Sequence, residues 1–361
     1  MKKITPNTNQ IGIKNANRVF YFDYLRIVAI FAVIFLHTAA QNWYITDVSS
    51  FEWNVFNFYD SLVRWGVPVF VMISGALFLN KEQLISKLYR KNILRMLIIL
   101  FFWSTIYATW GYLVLHQNTT LKDSFFSIVK GPSHLWFLYM LIGLYMVVPF
   151  LQKIIQDRKI AKYFVILSLV FAFIIPNLIK IINLKFPSIA EVLNEVINTM
   201  RLNFVLGYTG YFVLGYLLHN SKITKKTEII LYILSICSLI FTILSTTLLS
   251  NYLHEPSIIF YNNLSLNVCI ISISVFIFFK QHIKNPTKRK INKLLFLSKC
   301  SLGVYLIHII ILDILQIVFN LNSLSFNPIF SIPTIAILVF ISSYIISIIL
   351  NKIPIVNKWL I

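Results

Sequence analysis

Charge is scarce in this chain: 12% of its 361 residues are Asp, Glu, Lys or Arg, against 58% hydrophobic. A soluble domain of that length cannot hide so much apolar surface, whereas a polytopic membrane protein has no need to. Cysteine is scarce too. Cys237, Cys269 and Cys300 fall in or beside apolar stretches with no C-x-x-C spacing, which excludes a disulfide framework and a metal-binding signature. No connector has room for a separate soluble domain. Nor is there an internal repeat with interrupted segments in matching positions, as common transporter folds show.

Apolar segments of spanning length cover roughly 21–42, 57–79, 93–115, 134–151, 162–180, 204–219, 229–250, 257–280, 297–320 and 329–350, the sixth being short. The expected fold is an all-α integral membrane protein, a polytopic bundle of about ten transmembrane helices. A net charge of +20 raises the question of a nucleic-acid partner, and its distribution answers it. Lys and Arg crowd segments 1–18, 81–91, 153–162, 222–226, 280–299 and 352–358, while the alternate loops hold only Lys122, Lys130, Lys180, Lys185 and Arg201. That alternation follows the positive-inside rule with both termini cytoplasmic, so the basicity reports orientation and no nucleic-acid role is expected. The division is a cytoplasmic arm (1–20), one membrane domain (21–351) and a cytoplasmic tail (352–361). Heavy use of Ile, Phe, Lys and Asn suggests a bacterial source, hence a bacterial plasma membrane.

The first segment carries Asp23, Arg26 and His37 in an otherwise uncharged run. Eleven steps of 100° place Arg26 and His37 on one helix face, ~16 Å apart along the axis, with Asp23 within roughly 60° of both. Ionisable side chains in hydrocarbon are costly and mark a pathway or a reaction site. The small residues Thr38-Ala39-Ala40 resemble a signal-peptide cleavage site, but Asp23 and Arg26 interrupt the core such a peptide needs, so the segment is expected to stay.

Depth sorts the other polar groups into two layers. Asp23, Arg26 and Arg95 lie at the inner level, with Arg90 and Lys91 just outside it; His37, Asp60, Arg64, His134, Tyr305, His308 and Asp313 lie between mid-depth and the outer side. An inner cationic layer suits a phosphate-bearing cytosolic anion, and an outer His/Asp layer suits proton transfer to or from an external acceptor. The gap matches an extended pantetheine arm. Plainer roles stand beside these: Asp23–Arg26 and Asp60–Arg64 as neutralising pairs, His134 as an interfacial anchor, His308 bonded to a neighbouring carbonyl. Pro68 is expected to kink the second span, and Ser74-Gly75 to allow close helix approach. Trp43, Tyr44, Trp53, Trp110, Trp136 and Trp359 read as aromatic belts. Pro187-Ser188 with Glu191 reads as a capping box opening an amphipathic helix to about Met200, an interfacial element or lid.

These residues in this order resemble the acyltransferase 3 family of integral membrane acyltransferases, which often O-acetylate bacterial surface glycans. The match runs through Phe22-Asp23-Tyr24-Leu25-Arg26 to His37, the family's Arg/Lys-x10-His signature. It continues in Arg64-Trp65-Gly66-Val67-Pro68-Val69-Phe70, Ile73-Ser74-Gly75, Tyr89 through Arg95, His134-Leu135-Trp136-Phe137-Leu138 and Leu302 through His308, nearly the whole chain. Asn92 departs from the Arg-x-x-Arg pair many relatives carry before the third span; Arg95 keeps the second position, with Arg90 and Lys91 beside it.

The resemblance implies an O-acyltransferase, an enzyme transferring groups other than amino-acyl groups, with His37 as base and Arg26 helping to hold the donor. The expected co-substrate is acetyl-CoA or another acyl-CoA, with no permanently bound cofactor. The acceptor would be a cell-surface or lipid-linked glycan, reached directly or through a partner protein of envelope biosynthesis. Asp23 would orient Arg26, and Arg64 or Tyr305 would support the developing oxyanion. The rival reading is a transporter or flippase using the same polar stripe.

Overall fold

The computed structural model describes residues 18–82, 84–115, 120–202 and 207–361, and those residues form helices and short connections without a strand. Nine helical segments are long and apolar enough to cross a membrane among the described residues. Most of the expected N-terminal arm, with Lys2, Lys3 and Lys14, lies outside them.

The first crossing is α1 (Phe20–Ala39). The second is split into α2 (Phe51–Val63) and α3 (Gly66–Leu79). Pro68 explains the split: it has no N–H to give the Arg64 carbonyl four residues back, and its ring crowds that carbonyl. The third crossing is α4 (Leu94–Leu113), entered through a π-helical turn at Leu88–Ile93. An amphipathic helix α5 (Leu121–Lys130) and a 3₁₀ turn at Ser133–Leu135 lead into α6 (Trp136–Ile154). The fifth crossing runs from α7 (Arg158–Ser168) through a π-helical turn into α8 (Ile175–Asn183).

The amphipathic helix expected in the long outer loop is α9 (Pro187–Thr199). It differs in its start: Phe186 is the N-cap, no side chain caps it, and Pro187 opens the first turn, where its missing N–H costs nothing.

The expected sixth span is α10 (Thr209–His219), only 11 residues. At 1.5 Å per residue it is ~16 Å long, about half the hydrocarbon thickness. It packs on α3 at backbone contact. A Cβ on Gly75 would stand 1.8 Å from the Phe212 carbonyl oxygen, and one on Gly215 would stand 2.1 Å from that of Met72. Ser74-Gly75 thus allows the close approach its composition suggests.

The remaining crossings are α11 (Lys225–Leu253), α12 (Leu266–His282), α13 (Lys288–Phe319) and α14 (Pro328–Asn351). A short helix, α15 (Pro354–Trp359), follows, and Ile361 beyond it is buried.

Helix α1 is central, packed by α2, α3, α12, α13 and α14. That position gives its charged stripe protein neighbours instead of lipid. The start of α1, the ends of α3, α10 and α12 and the start of α7 gather on one face. There the Tyr21 hydroxyl is bonded to His219 Nδ1 (2.8 Å), Asn220 to Asn80 (3.0 Å), Arg158 to Ser221 (2.9 Å), and Lys280 donates to the Leu218 and His219 carbonyls. All are segments that the positive-inside pattern groups together. The aromatic belts are only partly as expected: Trp43 and Trp53 pack against each other with centroids 4.5 Å apart and planes tilted by 33°, and both are buried in the core.

Candidate functional site

At the inner end of α1 a cavity of about 420 Å³ is lined by Arg18, Asp23, Arg26, Asn80, Lys81 and His219, among others. Asp23 is 2% exposed, and the Arg18 guanidinium grips it with both arms, Nε to Oδ2 at 2.9 Å and Nη2 to Oδ1 at 2.7 Å. This fork is the strong, directional form of the charge-assisted hydrogen bond. It pushes the Arg18 pKa above its ordinary value, the hydrogen bond to Asp23 being the main cause. Asp23 lies within electrostatic reach of Arg26 but makes no hydrogen bond to it. Arg18, five residues back, makes both hydrogen bonds to the carboxylate.

Arg26 has no hydrogen bond or ion pair to any described residue and faces the cavity, with the Tyr145 hydroxyl within electrostatic reach. Tyr145 stacks on Phe78 at 4.4 Å and lies within electrostatic reach of Arg95 as well. Arg95 Nη2 donates to the Ile361 backbone oxygen at 2.5 Å, and Arg90 and Lys91 are exposed on the π-helical turn. None of these three lines the cavity. Lys81 belongs to the basic 81–91 segment already singled out, whereas Arg18, His219 and Tyr145 were not anticipated. Arg18 is lost among the many Lys and Arg of the basic segments, and the other two need knowledge of which helices touch.

At the outer level three imidazoles come together from distant segments. The His37 ring (α1) is 5.2 Å from that of His308 (α13), and His308 is 5.5 Å from His134 in the Ser133–Leu135 turn. The Tyr305 hydroxyl donates to the His134 carbonyl at 2.5 Å, and His308 Nδ1 bonds the Tyr305 carbonyl at 2.6 Å. The Tyr107 ring lies 4.7 Å from His134. His134 and His308 are buried, each with an Nε2 that has no hydrogen-bond partner among the described residues, whereas His37 is partly exposed and likewise makes no hydrogen bond to a described residue.

Arg64, at the α2–α3 break, lies within electrostatic reach of His37. It is bonded to the buried Asp60 and lies over the Tyr261 ring at 4.2 Å. The Tyr261 hydroxyl in turn bonds Asn57 and Ser61. The structure thus brings His37, His134, His308, Tyr305, Arg64 and Asp60 to one level. Asp313 accepts from Trp110 Nε1 at 3.1 Å and lies within electrostatic reach of Tyr107, the ring packed on His134. No three His, Cys, Asp or Glu side chains are grouped to hold a metal ion among the described residues.

The inner cavity includes Arg26 and not His37. Between them on α1, Ala29, Ile30 and Val33 are buried, and Gly66, just past the α2–α3 break, closes on Ala29 and Val33.

These features define a multi-pass helical membrane protein whose central helix carries a cationic cavity at its N-terminal end and a histidine cluster toward its C-terminal end. A family model described as an acyltransferase domain, Acyl_transf_3, matches residues 19–352, and the chain belongs to that acyltransferase family. No curated protein and no solved structure matches the chain.

Proposed function

We propose that this protein is a bacterial plasma-membrane O-acyltransferase, most simply an O-acetyltransferase, with both termini cytosolic. It would use acetyl-CoA or another acyl-CoA, and its acceptor is a hydroxyl of a cell-surface or lipid-linked glycan. The reading is carried by one observation: Arg26 and His37, neither hydrogen-bonded to a described residue, stand on one face of the central helix of a family acyltransferase. The donor's phosphates sit against Arg26, Arg18 and Lys81, since guanidinium groups bind phosphate oxygens in pairs. The pantetheine arm spans the ~16 Å to His37, past the Gly66 segment that closes on Ala29 and Val33.

His37 removes the proton of the acceptor hydroxyl as its oxygen bonds the thioester carbon. Arg64 faces the oxyanion, the C–S bond breaks, and the coenzyme A sulfur leaves with the proton returned by His37.

The second reading, a transporter, draws on the split α2–α3 and the half-length α10 packed against it, since transporters build midplane sites from interrupted helices. Purified protein, given labelled acetyl-CoA and a glycan acceptor, separates the two. Transfer that is lost in His37→Ala and Arg26→Ala supports the enzyme; solute uptake indifferent to acetyl-CoA, with no transfer, supports the transporter.

A further inference from the structure

His308 has its own constraint. Its Nδ1 lies 2.6 Å from the Tyr305 carbonyl oxygen, one turn back on α13. A carbonyl only accepts, so Nδ1 carries the hydrogen. The ring is fully buried, and no carboxylate is hydrogen-bonded to it among the described residues. A buried imidazole without a counter-ion stays neutral, so Nε2 is a bare lone pair. That atom is buried and has no hydrogen-bond partner among the described residues, which a protein interior tolerates only at a cost of about 1–3 kcal/mol. Two imidazoles neighbour the ring, His134 at 5.5 Å and, closer, His37, with centroids 5.2 Å apart and planes inclined by 48°. Turned edge-on at that separation, two facing ring nitrogens come to about 3 Å, the length of a hydrogen bond.

We propose that His308 is the positioning residue for His37: the Nε2 lone pair of His308, held in one tautomer by the Tyr305 carbonyl, accepts an N–H of His37. The other ring nitrogen of His37 is thereby left as the base. The logic is that of a catalytic imidazole oriented by an acceptor behind it, here a neutral imidazole in place of a carboxylate. This suits a site deep in hydrocarbon, where a carboxylate would itself need a counter-charge. The other ionisable groups facing the pair are His134, 5.5 Å from His308, Tyr305 at 5.9 Å, and Arg64 toward His37. The proposal rests on His37 being the base.

The test uses the full-length protein in bilayers. In ¹⁵N-histidine spectra, one histidine should show the neutral Nδ1–H tautomer, the rarer form in water, and that signal should vanish in His308→Gln. In turnover with labelled acetyl-CoA, His308→Leu should lose about 10- to 100-fold in kcat, the worth of one hydrogen bond to a group that becomes charged. The KM for the donor should not move. His308→Gln, which places an amide oxygen near the Nε2 position, should recover most of the rate.

Size-exclusion profiles of both variants matching the parent exclude a folding effect. A His308 found as the Nε2–H tautomer, or a Gln variant as slow as the Leu variant, overturns the proposal. Measuring His37→Ala alongside separates the two possible failures. Turnover lost there but kept in His308→Leu overturns this proposal alone, whereas turnover kept in His37→Ala overturns the base assignment and this proposal with it.

Discussion

Arg26 owes its availability to Arg18. Had Asp23 paired with Arg26 one turn away, as the spacing suggested, the inner cavity would present a neutralised pair. With both Asp23 oxygens taken by the Arg18 fork, the Arg26 guanidinium at the cavity keeps its N–H groups free of hydrogen bonds to described residues. Replacing Arg26 by Ala is expected to raise the donor KM about 10- to 100-fold, a charge-assisted bond to phosphate being worth about 1.5–3 kcal/mol. Arg26→Lys should recover part of that, because it keeps the charge and loses the fork. Steady-state kinetics with acetyl-CoA read both. His37→Ala should act on kcat, by about 10²–10⁴-fold, which is the usual worth of a positioned general base. On the outer side, Tyr261→Phe removes the hydroxyl that Asn57 and Ser61 share, leaving the buried Asn57 oxygen with less than it needs. A loss of about 1–3 kcal/mol in stability is expected, visible as a lower thermal midpoint in detergent.

Two helices owe their form to particular residues. Pro68 makes the α2–α3 break, and the break both aims Arg64 at the histidine cluster and sets Gly66 against Ala29 and Val33, between the two polar layers. The half-helix α10 is held to α3 by Gly75 and Gly215, where the backbones touch. No side chain can yield at those points because the obstructing atoms are main-chain oxygens. Gly75→Ala and Gly215→Ala should therefore each destabilise the protein by 1–3 kcal/mol or more, the cost of overpacking a close-packed interior. Midpoints of thermal unfolding check this, with Gly143→Ala, which meets nothing within 4 Å, as the control expected to be silent.

For the molecule as a unit, the charge asymmetry predicts which face meets the cytosol. In a Cys237→Ser background, an impermeant thiol reagent applied to intact cells should label Lys122→Cys and spare Lys352→Cys; the reverse pattern would invert the orientation. Membrane character, helix count to within the short α10, and the Arg26–His37 stripe were legible along the chain, because a hydrocarbon environment imposes length and apolarity on every crossing and exposes each exception. The partners of those exceptions were not. Asp23 chose Arg18 over Arg26, Arg95 bonds a carbonyl 266 residues away, and Asp313 joined Trp110 instead of the histidines. Local spacing decides which side chains share a helix face. Which helices meet, and so which polar groups become neighbours, depends on packing between segments far apart in the chain, and only the folded bundle brings His37, His134 and His308 together.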